Sequence, residues 1–419
     1  MSETIEVFPW SNISSRSEHP MHGLCSYLGA FPSAMARTFI QSFSSKGDIV
    51  FDPFCGRGTT HLEATLCDRI AISSDLNPLA VAITSAKNIK LPKSALVERI
   101  RKLQLLYDRL LYLPEAHNQP NEIKICFHHE TLAELCYLRR RLKPTKETDV
   151  FLKGALLGIL HGGERKNGTS MYVSVSMHNS FSMSPGYIEK YVQTNQLQRV
   201  YRNVFDALIY KVESLYKQSV PKYRNGLVLS VDAKHISEHP DMKQYVGKVK
   251  LIFSSPPYLN IVNYAKQNWI RLWFLQQDIL DVHENLDDDH NMIPWLNFMK
   301  EVLLDSKKLL TDDGIIAMVI GDVRRSKNNI VSPARELIRM LSQENHFEWI
   351  GCLSDNINPE HKVTKIWGDN KGNATNTERI VLFANQQPAY VKKAKEIDDL
   401  RFDIKIQSFE KHAKEFSSI

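Results

Sequence analysis

Short apolar runs bounded by polar turns alternate with longer amphipathic segments along this chain. Seven of the short runs are predicted as β-strands, at residues 48–52, 69–74, 227–231, 249–254, 314–320, 347–353 and 379–384. Helices are expected between them, over Ser33 to Phe43, after Asn77-Pro78 and over about Met292 to Leu310. Strands that alternate with helices indicate an α/β fold, with a mainly parallel sheet covered by helices on both faces.

A long segment interrupts this alternation between the second and third predicted strands. The gap is roughly 150 residues, whereas a β-α-β crossover needs only a few tens. We expect the excess to be a mostly helical insertion, with helices at 93–113, 131–142, 151–161 and 187–216. Its polar, aromatic-containing stretch 161–184 is either a substrate-reading element or a plain surface loop. The predicted organisation is a catalytic domain (1–92 and 226–390), an insertion and candidate target-recognition region (93–225) and a charged tail (391–419).

Composition narrows the protein class without identifying a function. The hydrophobic fraction of 43% is ordinary for a globular protein that buries a core. No apolar run approaches the ~20 residues of a membrane span, and the N-terminus lacks the pattern of a secretion signal. The six cysteines show no C-x-x-C pair, so we expect reduced thiols in a cytoplasmic protein, with no metal site. A net charge of +6 is compatible with a polyanionic partner but does not establish one.

The segment D-P-F-C-G-R-G-T-T, residues 52–60, follows the first strand and precedes a helix. Two glycines alone are a weak signal, because they only permit close backbone approach. The carboxylate of Asp52 would repel a dinucleotide pyrophosphate but attract an ammonium or sulfonium group. His61 also stands where a dinucleotide fingerprint has its third glycine. The turn therefore favours S-adenosylmethionine over a nicotinamide cofactor.

Two further acids lie at predicted strand ends. Asp75 follows the second strand, where an acid can accept hydrogen bonds from ribose hydroxyls. Asp232 follows the third strand and is suited to the exocyclic amine of an adenine. Each acid alone is equally well explained as a loop residue or a helix N-cap. Three acids at the ends of three consecutive strands favour a ligand, since open α/β sheets bind ligands at that edge.

The fourth strand runs into Ser255-Pro256-Pro257-Tyr258. The two prolines fix φ and remove two N–H donors, so their carbonyls point in set directions. The Ser255 hydroxyl and the Pro256 carbonyl are both suited to accept from an amino group on a planar base. Tyr258 offers a face on which an extruded base can stack, and an enzyme acting on a duplex base must flip it out.

Together, D-P-F-x-G-x-G-T and S-P-P-Y resemble the amino-group DNA methyltransferases of bacterial restriction–modification systems. The resemblance covers residues of about 50–90 and 226–385, and implies a seven-stranded Rossmann-like S-adenosylmethionine-dependent methyltransferase sheet. It implies S-adenosyl-L-methionine as cofactor and Ser255, Pro256, Pro257 and Tyr258 as catalytic residues. The cofactor residues expected by position, including one ahead of the first strand, are Phe31, Asp52, Pro53, Phe54, Cys55, Gly56, Gly58, Thr59, Asp75, Leu76, Asp232 and Ala233.

The target atom stays open at this stage. A serine in the first tetrapeptide position resembles the cytosine-N4 enzymes, whereas the order of the motifs, cofactor turn first, keeps adenine-N6 as an alternative. Cytosine-C5 chemistry is disfavoured because no cysteine follows a proline. An RNA guanine-N2 methyltransferase has similar motifs, but usually carries an RNA-binding domain ahead of the first, where only about 50 residues stand here. A non-catalytic DNA-binding relative is disfavoured by the intact acids and tetrapeptide.

The expected macromolecular partner is double-stranded DNA, with a companion restriction endonuclease as a further candidate. Aromatic and basic side chains interleave after the tetrapeptide, which suits a flipped base and its phosphates. A basic, Gly- and Asn-rich segment at 361–379 and the paired arginines after the fifth strand add further candidates. The predicted DNA contacts are Tyr264, Lys266, Arg324, Lys365 and Lys371.

Overall fold

The structure, a computed structural model, describes residues 18–164, 169–219, 226–257, 259, 263–286, 291–326, 329–343, 347–356 and 374–385. Tyr258, Lys365, Lys371 and the predicted tail 391–419 lie outside the described residues. The strands are β1 Ile49–Asp52, β2 Ile70–Ser74, β3 Leu227–Leu229, β4 Val249–Ser254, β5 Leu310–Ser326, β6 Asn329–Val331, β7 Glu348–Asn356 and β8 Ala374–Ala384. All seven predicted strands are therefore present, and the short β6, which pairs only with β5, was not predicted.

These strands form one sheet in the order β3-β2-β1-β4-β5-β8-β7. Neighbouring strands from β3 to β5 are parallel, and β8 is antiparallel to both β5 and β7. The chain moves outward from β1 through β2 and β3, then returns to the other side of β1 to form β4. The order in which the chain adds strands therefore reverses between β1 and β4. This reversal creates a switch point, the place where open α/β sheets bind ligands. The predicted α/β methyltransferase sheet is confirmed.

The helices that accompany the sheet begin and end near the predicted residues. Helix α1 is Ser33–Phe43, as predicted. Helix α2 is Thr59–Leu66 and α3 is Pro78–Asn88, whose N-cap Asn77 accepts from the Leu79 N–H. Farther along are α11 Tyr264–Gln267, α12 Trp269–Leu275, α13 Ile279–Asn285, α14 Met292–Lys307 and α15 Pro333–Gln343. Apolar clusters lie on both faces of the sheet, with α1 on one face and α14 and α15 on the other.

The insertion is helical as predicted, but its helices are shorter and more numerous. They are α4 Lys93–Leu105, α5 Arg109–His117, α6 Asn121–Lys124, α7 His129–Arg141, α8 Glu147–Leu157, α9 Pro185–Thr194 and α10 Val204–Leu215. The predicted helix 93–113 is wrong, because Asp108 accepts from two backbone N–H groups and starts a new helix. The predicted helix 187–216 is wrong for the same reason, since Asn203 caps α10. Helix α8 also starts four residues before predicted residue 151 and ends at Leu157, short of 161.

The insertion shares its apolar core with the catalytic part of the chain. Its buried side chains pack in one cluster with Leu79 and Ile83 of α3 and with α12, for example Ile270. Trp269 and Trp273 of α12 also belong to this cluster. The insertion is therefore a helical layer built onto the sheet domain rather than a unit with a separate core.

Candidate active site

The turn after β1 adopts the left-handed backbone that its glycines permit. Gly56 has φ +48° and Gly58 has φ +72°, and Gly58 is the N-cap residue of α2. A β-carbon on Gly58 would lie 2.7 Å from the Thr84 hydroxyl of α3, so both the conformation and the close helix packing require glycine here. The turn therefore brings the start of α2 to the carboxyl edge of the sheet.

A cavity of about 810 Å³ opens at this edge, beside the switch point between β1 and β4. Most of the residues predicted from the sequence line it together, namely Phe31, Pro53, Phe54, Cys55, Gly56, Thr59, Asp75, Leu76, Asp232, Ala233, Ser255, Pro257 and Tyr264. Cofactor-turn residues and tetrapeptide residues, about 200 positions apart in the chain, thus face one space. Asp52, Gly58 and Pro256 are not among the lining residues.

Asp75 lies at the cavity wall and is fixed by the backbone. Its two carboxyl oxygens accept from the N–H groups of Gly56 and Asn77, each at 2.9 Å. Burial raises the pKa of Asp75 to about 6, although these N–H groups oppose the rise. A carboxyl poised in this way is suited to accept from the hydroxyl groups of a bound ribose.

The sequence placed Asp232 directly after the third strand, but β3 ends at Leu229, three residues before Asp232. It caps the 3-10 helix Ala233–Glu238, because its side chain accepts from the Lys234 N–H at 2.9 Å. It also lines the cavity, so the two interpretations of this acid, helix cap and ligand contact, are compatible.

Asp52 occupies a different place from the one that its motif suggested. The side chain is 1% exposed and accepts from the hydroxyl of Ser254 at 2.5 Å and from the Phe54 N–H at 3.2 Å. Burial raises the pKa of Asp52 to about 7. Asp52 therefore links the end of β1 to the end of β4, directly before the tetrapeptide, and supports the cavity from behind. Its direct contact with the cofactor stays a prediction.

Of the tetrapeptide, Ser255 and Pro257 line the cavity, and Pro256 is buried next to them. Phe31, ahead of α1, lines the opposite part and packs edge-on against Phe253 of β4, with ring centroids 5.3 Å apart. Strand β4 and the segment before β1 thus contact each other through these two rings, and contact of Phe31 with the cofactor stays a prediction.

The sequence did not indicate several lining residues, namely Tyr27, Gly29, Ala30, Arg57, Asn77, Val231, Leu286 and Phe298. Tyr27 connects two parts of the site. Its hydroxyl accepts from the side-chain amide of Asn77 at 3.0 Å, and its ring stacks on that of Tyr264, with centroids 5.7 Å apart. The segment around Phe31 had marked this region, but only the folded chain shows that Tyr27 reaches the cavity.

Three of the predicted DNA contacts, Tyr264, Lys266 and Arg324, lie in the described residues. Tyr264 lines the cavity, and Lys266 is exposed on the same short helix, α11. Arg324 is exposed on β5. The described part of segment 161–184 is hydrogen-bonded to side chains of α12. The Asn179 carbonyl accepts from Arg271, and the Met183 carbonyl accepts from Trp269. The Ser26 hydroxyl also donates to the Asn179 carbonyl, and the Ser182 N–H donates to the Gln267 carbonyl, so the segment contacts residues next to Tyr27 and on the helix of Tyr264.

None of the helices that the structure describes is long and apolar enough to cross a membrane. All six cysteines lie in the described ranges, and each is a free thiol. Across those same ranges, no group of three or more histidine, cysteine or acidic side chains is placed to hold a metal ion.

Comparison with known proteins gives a family match over residues 2–86, to the model described as DNA methylase. The HindVI Mod subunit of Haemophilus influenzae, a probable type III restriction-modification enzyme, is 34% identical over 91 residues, which are 22% of this chain and 10% of that protein. The type II methyltransferase M.MjaII of Methanocaldococcus jannaschii is 21% identical over 389 residues, 73% of each chain. A protein named uracil-DNA glycosylase from Borreliella burgdorferi is 32% identical over 115 residues, 27% of this chain and 49% of that protein.

The match thus spans a tenth of the HindVI Mod subunit, about half of the glycosylase and about three quarters of M.MjaII. The family match lies on the segment that carries the cofactor turn, Asp52 to Thr60. M.MjaII is the relative whose similarity extends over most of the chain. With the strand order and the shared cavity, these matches confirm the resemblance found in the sequence. The chain is therefore similar to the amino-group DNA methyltransferases of the restriction–modification type, whose cofactor is S-adenosyl-L-methionine.

Proposed function

We propose that this protein transfers a methyl group from S-adenosyl-L-methionine to the exocyclic N4 amine of cytosine in double-stranded DNA. One observation carries the proposal: Ser255 and Pro257 of the tetrapeptide line the same cavity as Asp75 and Asp232 of the cofactor edge. Methyl transfer requires the acceptor nitrogen and the methyl donor to meet in line at close range. A cavity with both sets of residues allows that encounter.

The lining of the cavity fits an amphipathic, positively charged cofactor. Asp75 and Asp232 supply acceptors for hydroxyl and amino groups, and Phe31, Leu76 and Phe298 supply apolar contact. Arg57 adds a guanidinium suited to a carboxylate, and its Nε donates to the Thr59 hydroxyl at 3.0 Å. The bound cofactor supplies an electrophilic methyl group on a sulfonium.

The residues of the chain prepare the acceptor. The Ser255 hydroxyl and the Pro256 carbonyl are proposed to accept the two N–H bonds of the target amine. These bonds draw the nitrogen lone pair out of conjugation with the ring and aim it at the methyl carbon. The target nitrogen would gain a bond to the methyl carbon as that carbon leaves the sulfur of the cofactor, and the nitrogen would give up one proton to solvent water. Tyr264, stacked on Tyr27, offers an aromatic wall for a flipped base.

Cytosine-N4 is favoured over adenine-N6 by the serine at position 255, and the motif order supports the alternative. A restriction endonuclease is a further proposed partner, because one relative of this chain is named as a probable type III restriction-modification enzyme. The insertion is proposed as the target-recognition region.

The test is transfer of labelled methyl groups from S-adenosyl-L-methionine to unmethylated bacterial DNA, followed by nucleoside analysis. We expect N4-methylcytosine. N6-methyladenine would overturn the base and keep the mechanism, whereas label found only in tRNA would overturn DNA as substrate.

Two variants separate the proposed roles in the same assay. Ser255→Ala should lower kcat by about 10²–10³-fold, as loss of one positioned hydrogen-bonding group typically does, with cofactor affinity nearly unchanged. Asp75→Ala should instead weaken cofactor binding by about 10- to 100-fold, measured by calorimetry, because a charge-assisted hydrogen bond contributes roughly 1.5–3 kcal/mol. Equal loss of cofactor affinity in both variants would contradict these roles.

A further inference from the structure

Trp295 is a buried residue of α14 that contacts the tetrapeptide directly. Its side chain is 2% exposed, and its indole N–H donates to the carbonyl of Pro257 at 2.9 Å. An indole has one donor and no acceptor, so this bond satisfies the whole hydrogen-bonding capacity of the side chain. The bond joins residues 38 positions apart.

The tetrapeptide needs an outside anchor because of its own sequence. Pro256 and Pro257 have no N–H, so neither can donate to a neighbouring strand or turn. Strand β4 ends at Ser254, where its register with β5 also ends. Beyond that residue the sheet no longer fixes the backbone, and the Pro257 carbonyl is held from outside by Trp295.

Helix α14 is itself fixed to the cofactor side of the cavity. Asp305 accepts from the backbone N–H of Ser237 at 2.8 Å and from its hydroxyl at 2.6 Å. Ser237 belongs to the 3-10 helix that Asp232 caps. Phe298, one turn after Trp295 on the same face of α14, lines the cavity and packs against Phe54 of the cofactor turn. One helix therefore contacts the cofactor turn, the segment of Asp232 and the tetrapeptide.

We propose that Trp295 is a positioning residue for methyl transfer. By holding the Pro257 carbonyl, its indole N–H sets the direction of the peptide groups that precede it, and with them the Ser255 hydroxyl and the Pro256 carbonyl. This inference rests on the proposed function, since the aligned atoms are those that would accept the target amine. A small rotation of these acceptors would leave cofactor binding intact, but it would turn the lone pair of the target amine away from the methyl carbon.

The test compares Trp295→Phe with Trp273→Phe in the full-length protein. Both substitutions keep an aromatic ring and remove one buried indole hydrogen bond, because Trp273 donates to the Gln119 side chain at 2.9 Å within the helical core. We expect similar decreases in melting temperature. In steady-state methylation of DNA, Trp295→Phe should lower kcat by about 10- to 100-fold, the size of a small misplacement of reacting groups, with cofactor Kd unchanged. Trp273→Phe should keep kcat within about twofold of wild type.

A second measurement does not depend on activity. Hydrogen exchange of the peptide covering residues 249–259 should quicken in Trp295→Phe and not in Trp273→Phe. If the wild-type protein transfers no methyl group to DNA, the proposed function fails, and the exchange result still decides whether Trp295 anchors the tetrapeptide. A normal kcat in Trp295→Phe, an equal loss in Trp273→Phe, or unchanged exchange in both would overturn the inference.

Discussion

Asp149 of the helical insertion and two aspartates at the carboxyl edge of the sheet, Asp52 and Asp75, have hydrogen-bond partners of different kinds. In the insertion, the fully buried Asp149 accepts from Arg99 through two bonds, at 2.7 and 3.0 Å, and from the Lys143 N–H. At the sheet edge, the side chains of Asp52 and Asp75 accept hydrogen bonds from hydroxyl and backbone N–H groups. Among the described residues, no cation forms an ion pair with either.

The pKa values express this difference physically. Burial raises the pKa of Asp52 to about 7 and that of Asp75 to about 6, because no neighbouring positive charge offsets the loss of water. Burial is also the largest influence on Glu63 of α2, yet the pKa of this acid is lowered, because His22 and Arg37 both contact it. Asp149 and Glu63 are thus paired with cations, whereas Glu134 of α7, whose pKa burial also raises, accepts from the Tyr201 hydroxyl and the Val204 N–H. Of the two acids at the edge of the sheet, Asp75 lines the cavity where a positively charged cofactor is proposed to bind.

The largest effect is expected from breaking the pair in the insertion. Asp149→Ala leaves Arg99, whose side chain is 17% exposed, without its carboxylate. Loss of one partner of a buried ion pair typically lowers the free energy of unfolding by about 3–5 kcal/mol. Urea unfolding measures this, and cofactor affinity should stay at the wild-type level. The control Glu213→Ala, at an exposed position of α10, should change stability by less than about 0.5 kcal/mol. A parallel fall in cofactor affinity would contradict the separation of the two regions.

At the sheet edge, removing a buried carboxyl should instead relieve a loss of stability, and this effect should depend on pH. In the folded protein Asp52 keeps its proton up to about pH 7, whereas an unfolded aspartate loses it near pH 4. The native state therefore binds more protons over this window, and stability falls as the pH rises through it. Relative to Asp52→Asn, the wild-type protein should lose up to about 4 kcal/mol between pH 4 and pH 7.

Unfolding midpoints of both proteins across pH 4–8 measure this difference. The exposed Asp281 of α13 provides a control, because Asp281→Asn should differ from wild type by a nearly constant amount over the same range. If the difference in stability between Asp52→Asn and wild type did not change with pH, burial would not raise the pKa of Asp52.

The smallest effect concerns DNA and tests whether the insertion contacts it. Lys266→Ala, on the short helix that carries Tyr264, should weaken DNA binding a few-fold and reduce the slope of log K against log salt by about one, as expected for one phosphate contact. Lys190→Ala, on the exposed side of α9 in the insertion, is the matched variant. Binding measured at several salt concentrations distinguishes them. An unchanged slope for Lys266 and a reduced one for Lys190 would move the proposed DNA surface from the sheet edge to the insertion.

The sequence alone predicted those features that depend on residues close together along the chain. The strands β1, β2 and β4, the exact span of α1 and the turn with Gly56 and Gly58 follow from local apolar patterning and backbone conformation. Errors inside the insertion arose where single polar side chains capped a new helix. Asp108 and Asn203 end apolar patterns that otherwise look continuous, and periodicity does not detect a cap inside such a run.

The tertiary structure decided which groups face the cavity. The sequence placed Asp52 in a cofactor motif, and the parallel pairing of β1 with β4 brings it next to Ser254, whose hydroxyl donates to its carboxyl. Tyr27, Phe298 and Trp295 reach the site from segments far from either motif, so no local pattern could have indicated them. Motifs at strand ends predicted that a methyl donor and an amine would meet at this edge. Long-range packing determined which side chains hold them, because those contacts join parts of the chain that only folding brings together.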